Sequence, residues 1–271
     1  RDDVPVSYVG QAALLVSIPV AASVIGAVVA VVRPPGQGVV SGIQHFAAGV
    51  VTAALVGEIM PELQREGHLG WTVVGFVAGA LLVLGLGAYG RRSEAEAEAV
   101  AEVAAPRERT ARARGIRTRV ISRAAVALPV GMLAAMAVDL LLDGILIGVG
   151  VRLGQSQGLI LTIALTLEIL FLGLSVVAEV TETGASKGKA VGITVGLGLM
   201  TAVGAIGGAA VLGTAPETVM SAVLAFGAAA LLYLVVEELL VEAHEVKETV
   251  WLGGAFFLGF LVIYVLAALG R

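Results

Sequence analysis

Asp139, Asp143 and Glu168 each interrupt a long apolar stretch. An ionised side chain in hydrocarbon costs several kcal/mol, so one that persists there is a functional candidate. Asp139 and Asp143 are four residues apart, which places them on one face of a helix. At 1.5 Å per residue they fall very roughly 13–20 Å below one end of that helix. Glu168 falls about 17 Å below the matching end of the next helix. The two helices are joined by a short connection and are expected to be neighbours. Three carboxylates at one depth make an all-oxygen cation site. Without a cation such a cluster retains protons, so proton–cation exchange is chemically available there. A purely structural alternative is protonated acids hydrogen-bonded across the bundle, with Thr162, Thr166 and Ser175 as partners.

Glycines accompany the acids. Asp139 precedes Gly144 by five positions, and Glu168 precedes Gly173 by the same five. Small residues let helices approach closely in lipid.

The elements that must position these residues follow from composition. The chain has 271 residues, 58% hydrophobic and only 14% charged, with a mean hydropathy of +0.97. Soluble domains carry about 25% charged residues, so a soluble enzyme and a disordered chain are both excluded. A polytopic, all-helical membrane protein in one transmembrane domain, 1–271, remains. Apolar stretches fall at 6–32, 39–62, 69–90, 121–151, 157–180, 190–213, 217–241 and 249–270, which predicts eight spans. Thirteen of the 17 Lys and Arg side chains, among them Arg33, Arg91, Arg92, Lys187 and Lys247, fall on one side. Only Arg1, Arg65, Arg152 and Arg271 fall on the other. The positive-inside rule then puts both termini outside a cell membrane. The N-terminal residues lack a basic run and a small-residue cleavage site, so the first span is expected to be a helix of the bundle rather than a signal peptide. The chain has no Cys and no Asn, which removes thiolate metal sites, thiol catalysis and N-glycosylation. No basic patch is interleaved with aromatics, so nucleic acid is not an expected partner.

Residues 91–120, acidic in their first half and basic in their second, are expected to form a charged cytoplasmic loop between spans 3 and 4. One internal repeat is visible. Phe46-Ala47-Ala48-Gly49 is followed at twelve and sixteen positions by Glu58 and Glu62. Phe226-Gly227-Ala228-Ala229 is followed at the same offsets by Glu238 and Glu242. The two copies sit in spans of opposite direction, the pattern of inverted repeats in transporters. Glu58, Glu62 and Glu66 mark the outer end of span 2, and Glu179, Glu182, Glu237, Glu238 and Glu242 the inner ends of spans 5 and 7. They read as interfacial charges, or as attractors for entering and leaving cations. His45, His68 and His244 read as scattered interfacial residues.

These residues carry a family resemblance. Span 2, FAAGVVTAALVGEIMPEL, and span 7, FGAAALLYLVVEELLVEAH, resemble the second and seventh helices of the ZIP (Zrt/Irt-like) divalent metal transporters, particularly their prokaryotic branch. GLSVVAEVTETGASKGKA is similar to the family's exit from helix 5. The resemblance implies an inverted repeat of helices 1–3 and 6–8. It also implies an elevator-like division, in which helices 1, 4, 5 and 6 carry the cation and helices 2, 3, 7 and 8 form a scaffold and homodimer interface. The family's helix 4 motif, His-Asn-x-Pro-Glu-Gly, falls on Asp139–Gly144, and its helix 5 motif falls on Glu168–Gly173. Metal ligands are thereby implied at Asp139, Asp143 and Glu168, and none at Leu140, Ile169 or Leu172. One cation site is the most this set supports. The motif prolines and the family's His-rich cytoplasmic loop are absent.

Other chemistries fail on the sequence. It contains no His-Glu-x-x-His and no Gly-x-Gly-Asp, and Lys187, Lys189 and Lys247 all fall in the expected connections rather than within an expected span. No enzyme and no cofactor is expected; the ligand is a transported divalent cation, zinc or a harder ion. A proton- or hard-cation-specific relative and a non-transporting membrane protein of the same fold are the alternatives.

Overall fold

A computed structural model describes residues 7–66, 68–113, 130–244, 246–247 and 249–269. Among them are eight helices long and apolar enough to cross a membrane. In chain order, α1 is Tyr8–Val32. The second helix, α2, begins as Gln37–Ala54, passes through a π-helical turn at Leu55–Ile59 and ends with Met60–Glu66. Then follow α3, Leu69–Ala113, α4, Val130–Leu153, α5, Gln155–Glu182, and α6, Lys187–Leu212. The seventh, α7, begins as Glu217–Tyr233, passes through a π-helical turn at Leu234–Leu239 and ends with Leu240–Ala243. Val250–Leu269 forms α8. No strand occurs among the described residues.

Local chemistry sets several of these ends. Ser7 accepts a hydrogen bond from the Gly10 N–H at the start of α1, and Ser186 accepts one from Lys189 at the start of α6. Both satisfy amides that the first helical turn leaves open. α3 runs past its apolar stretch to Ala113, so the first part of segment 91–120 is helical. Its Glu, Ala and Arg residues are strong helix formers and need no hydrocarbon to stay helical. Residues 114–120 lie outside the described residues.

The helices sort into two groups. α1, α4, α5 and α6 pack chiefly on one another; α2 packs on α8 and α3 on α7. Glycines make the closest crossings. A Cβ at Gly26 of α1 would lie 2.5 Å from the Leu170 carbonyl oxygen and 3.2 Å from Gly173 of α5. A Cβ at Gly204 of α6 would collide with the Leu141 carbonyl and lie 3.0 Å from Gly144 of α4. In the second group, Gly259 of α8 lies on the carbonyl of Phe46, and Gly79 of α3 on the carbonyl of Phe226.

One exchange relates all four crossings: α1 with α6, α2 with α7, α3 with α8, and α4 with α5. The π turns obey it too. Each begins eight or nine residues after the phenylalanine of its repeat, and each contains the acid found twelve residues on, Glu58 or Glu238. The repeat seen in sequence thus extends to backbone irregularity, which in helices concentrates at functional positions.

Candidate metal site

α4 and α5 lie side by side, both packed on the helices that Gly144 and Gly173 admit. This packing brings Asp139, Asp143 and Glu168 together, with one ligand-capable oxygen from each lying within 4.8 Å of the others. Glu168 is 1% exposed and Asp143 3% exposed, while Asp139 is partly buried. Asp143 Oδ2 and both carboxylate oxygens of Glu168 are buried without a hydrogen-bond partner. A buried carboxylate oxygen with no donor is expensive, and a cation removes that cost. Thr162 and Thr166, two of the three hydroxyls offered by the structural alternative, donate instead to carbonyls of their own helix, Gly158 at 2.7 Å and Thr162 at 2.6 Å.

A cavity of about 240 Å³ reaches the acids from one end of the bundle. Asp139 and Glu168 line it, together with Glu179 of α5, Glu237 and Glu238 of α7 and Arg91 of α3. Sequence reading placed these three further glutamates at helix ends, as interfacial charges or as attractors for cations. The structure puts them on the wall of the cavity that reaches the acids, Glu237 and Glu238 from within the π turn at Leu234–Leu239 and Glu179 from α5. Gly90 and Arg91 line the end of the cavity where most of the Lys and Arg side chains collect; we call this side inner. Beyond Asp143, toward the other end, the space is filled. Leu146, Ile147, Leu161 and Leu165 are all at most 2% exposed there. Glu58 and Glu62 border a separate cavity of about 330 Å³ with Gln155, Gln157 and Ala267, at the opposite end from Glu238. Arg65 pairs with Glu62 at 3.7 Å on that surface. The side chains of Glu66 and Glu242 lie outside the described residues.

Two of the three histidines meet. His45 is 3% exposed, and its ring centre lies 5.3 Å from that of His244. No sequence signal joined them, since they sit on helices far apart in the chain.

Eight apolar helices among the described residues, related as an inverted repeat around buried acids, have the architecture of a membrane transporter. Residues 94–267 match the family model described as ZIP Zinc transporter. The match covers more than half of the chain, and the protein belongs to this family of divalent-metal transporters. A search of curated proteins finds no match.

Proposed function

We propose that this protein carries divalent cations across a cell membrane through one site formed by Asp139, Asp143 and Glu168. The observation that carries this reading is the three carboxylates, with ligand atoms within 4.8 Å, at the end of a cavity lined by further acids. Asp143 and Glu168 supply buried oxygens that no residue outside the acid cluster satisfies, and Asp139 joins them from the cavity side. Leu140, Ile169 and Leu172 supply no ligand, so the site holds one ion. Its donors are all oxygen, which suits Mn²⁺ and Mg²⁺ as well as Zn²⁺.

The cavity opens to one side only, so the described arrangement is an inward-open state. Movement of α1, α4, α5 and α6 against α2, α3, α7 and α8 would present the same acids to the outer side, where Glu58 and Glu62 stand. Both termini lie outside in this reading, the acidic and basic segment 91–120 lies in the cytoplasm, and the second group of helices provides a homodimer interface. Uptake of Zn²⁺ and Mn²⁺ into proteoliposomes tests the proposal. Time-dependent, saturable uptake that is lost in Glu168→Gln supports it, and equal uptake by the variant overturns the site assignment.

A further inference from the structure

Arg91 stands one turn after Gly87 on α3, and both line the inner cavity. A helical side chain leans toward the N-terminus of its own helix, so Arg91 is aimed back into the bundle. Gly87 makes room for it. A Cβ at Gly87 would lie 3.2 Å from Arg91 Nη1 and would collide with the Tyr233 hydroxyl. The guanidinium and the phenol of α7 therefore both reach over a position that has no side chain. An arginine at the edge of a bilayer ordinarily extends its charge outward to water. Here the charge is held on the wall of a cavity that ends at the acids.

Its neighbours on that wall are acidic. Asp139, Glu168, Glu179, Glu237 and Glu238 line the same cavity, and Arg91 is the one cation among the described lining residues. Among the described residues it forms no ion pair, so no single carboxylate cancels its charge. The outer cavity, beside Glu58 and Glu62, lacks this arrangement. Gly79 and Gly259 correspond under the exchange of α3 with α8, so eight residues on Gly87 corresponds to Ala267. Ala267 lines the outer cavity and carries a methyl in the place that Gly87 leaves open. Arg65, the one cation on that wall, is paired with Glu62.

We propose that Arg91 is the built-in counter-cation of the inner cavity, a residue that weakens the hold of the acids on a divalent ion and favours its release to the inner side. Release rests on the transport reading given above; the charge of the cavity does not. A fixed positive charge repels a divalent ion twice as strongly as a monovalent one, so it shortens the stay of doubly charged cargo most. Once the ion has left, the guanidinium offsets part of the repulsion among the acids. Without it, a cleft lined by one sign of charge concentrates cations and retains them.

The chain has no Cys, so Ala135→Cys puts a single thiol on the cavity wall and leaves every acid in place. The full chain is purified without metal, and the thiol is reacted with a cationic and an anionic methanethiosulfonate of similar size. The ratio of the two rates reads the electrostatic potential of the cavity. A unit charge about 10 Å away in water-like surroundings changes each rate roughly twofold, in opposite senses, so Arg91→Gln should raise the cationic-to-anionic ratio about fourfold. Arg91→Lys should restore it. Arg92→Gln removes the same charge from a neighbour that does not line the cavity, and should change the ratio little. Gly87→Ala keeps the charge but fills its seat, and should move the ratio part of the way toward that of Arg91→Gln. In Mn²⁺ uptake, Arg91→Gln should lower the maximal rate and the half-saturating concentration together, as slower release does.

An unchanged ratio in Arg91→Gln, or equal changes in Arg91→Gln and Arg92→Gln, would overturn the counter-cation. A raised ratio with unchanged uptake would overturn its part in release. If the parent chain carries no cation at all, the transport reading fails, and the labelling ratio still decides the charge of the cavity.

Discussion

Leu146 of α4 lies against Gly227 of α7 so closely that a single added methyl on the glycine would overlap the leucine side chain. The contact crosses between the two helix groups less than one turn beyond Asp143. It closes the outer side of the acids while the inner cavity stays open.

Opening that contact should let the site be reached from both sides. The chain contains no Cys, so Asp139→Cys introduces a single thiol on the cavity wall. A membrane-impermeant thiol reagent should label it from the inner side alone. Adding Leu146→Ala leaves a void in place of the seal and should make labelling from the outer side at least about tenfold faster. The truncation should cost about 2–5 kcal/mol of stability, as large-to-small core changes do. Unchanged outer labelling in a folded variant would place the barrier elsewhere.

Neutralising the acids should separate transport from folding. Asp143→Asn and Glu168→Gln should each lower cation uptake by more than about tenfold, and Asp139→Asn by less, since its side chain is only partly buried. Thermal stability without metal should hold or rise, because each change removes an uncompensated buried charge. Uptake and melting in detergent, measured on the same preparations, check both halves.

Close helix crossings should fail on the smallest substitution. Gly144→Ala and Gly204→Ala place a methyl against the backbone of the facing helix, where no side chain can move aside. Each should cost about 1–3 kcal/mol, the usual scale of overpacking. Gly196→Ala on the same α6, with nothing within 4 Å of the added carbon, should be neutral or slightly stabilising. Melting temperatures of the three variants make the comparison.

Cation binding at the acids should weaken as pH falls. A proton on Asp139, Asp143 or Glu168 removes a ligand charge, so binding releases protons and acid opposes it. Discrimination between Zn²⁺ and Mn²⁺ or Mg²⁺ should be weak, because no imidazole or thiolate belongs to this set. Competition binding on the purified protein at two pH values reads both effects. Strong zinc preference independent of pH would show that other residues bind the ion.

Hydropathy and charge carried the fold a long way. The predicted stretch 6–32 became Tyr8–Val32, and 217–241 became α7, because a lipid-facing helix must be apolar along its whole length. The stretch 69–90 understated α3, since helix-forming residues continue after hydrophobicity ends. Asp139, Asp143 and Glu168 stood out because charge in hydrocarbon is costly, and their equal depth foretold their meeting. Glu179, Glu237 and Glu238 stood out only as helix-end charges or cation attractors, with nothing to place them on one cavity with the three acids. A π turn inserts a residue into the helical count, so no 3.6-residue periodicity places Glu237 or Glu238 on the cavity wall. The His45–His244 pair was equally hidden. It depends on Ser41 reaching Ala243, 202 positions away, and sequence distance carries no trace of such a contact.

The exchange that relates the two halves is broken at the site itself. Asp143, one residue before Gly144, corresponds to Leu172, one residue before Gly173. Were the halves identical, the inward-open state and its outward-open mirror would be degenerate, and an empty carrier would spend equal time in each. Every place where the halves differ lifts that degeneracy, and an acid set against a leucine is among the largest differences available. A difference of 1.4 kcal/mol between the two states already gives a ratio of about ten to one in their populations. In the proposed carrier the leucine at 172 would therefore do more than withhold a ligand: it would set part of the resting bias, and Leu172→Glu should shift that bias even before any metal binds.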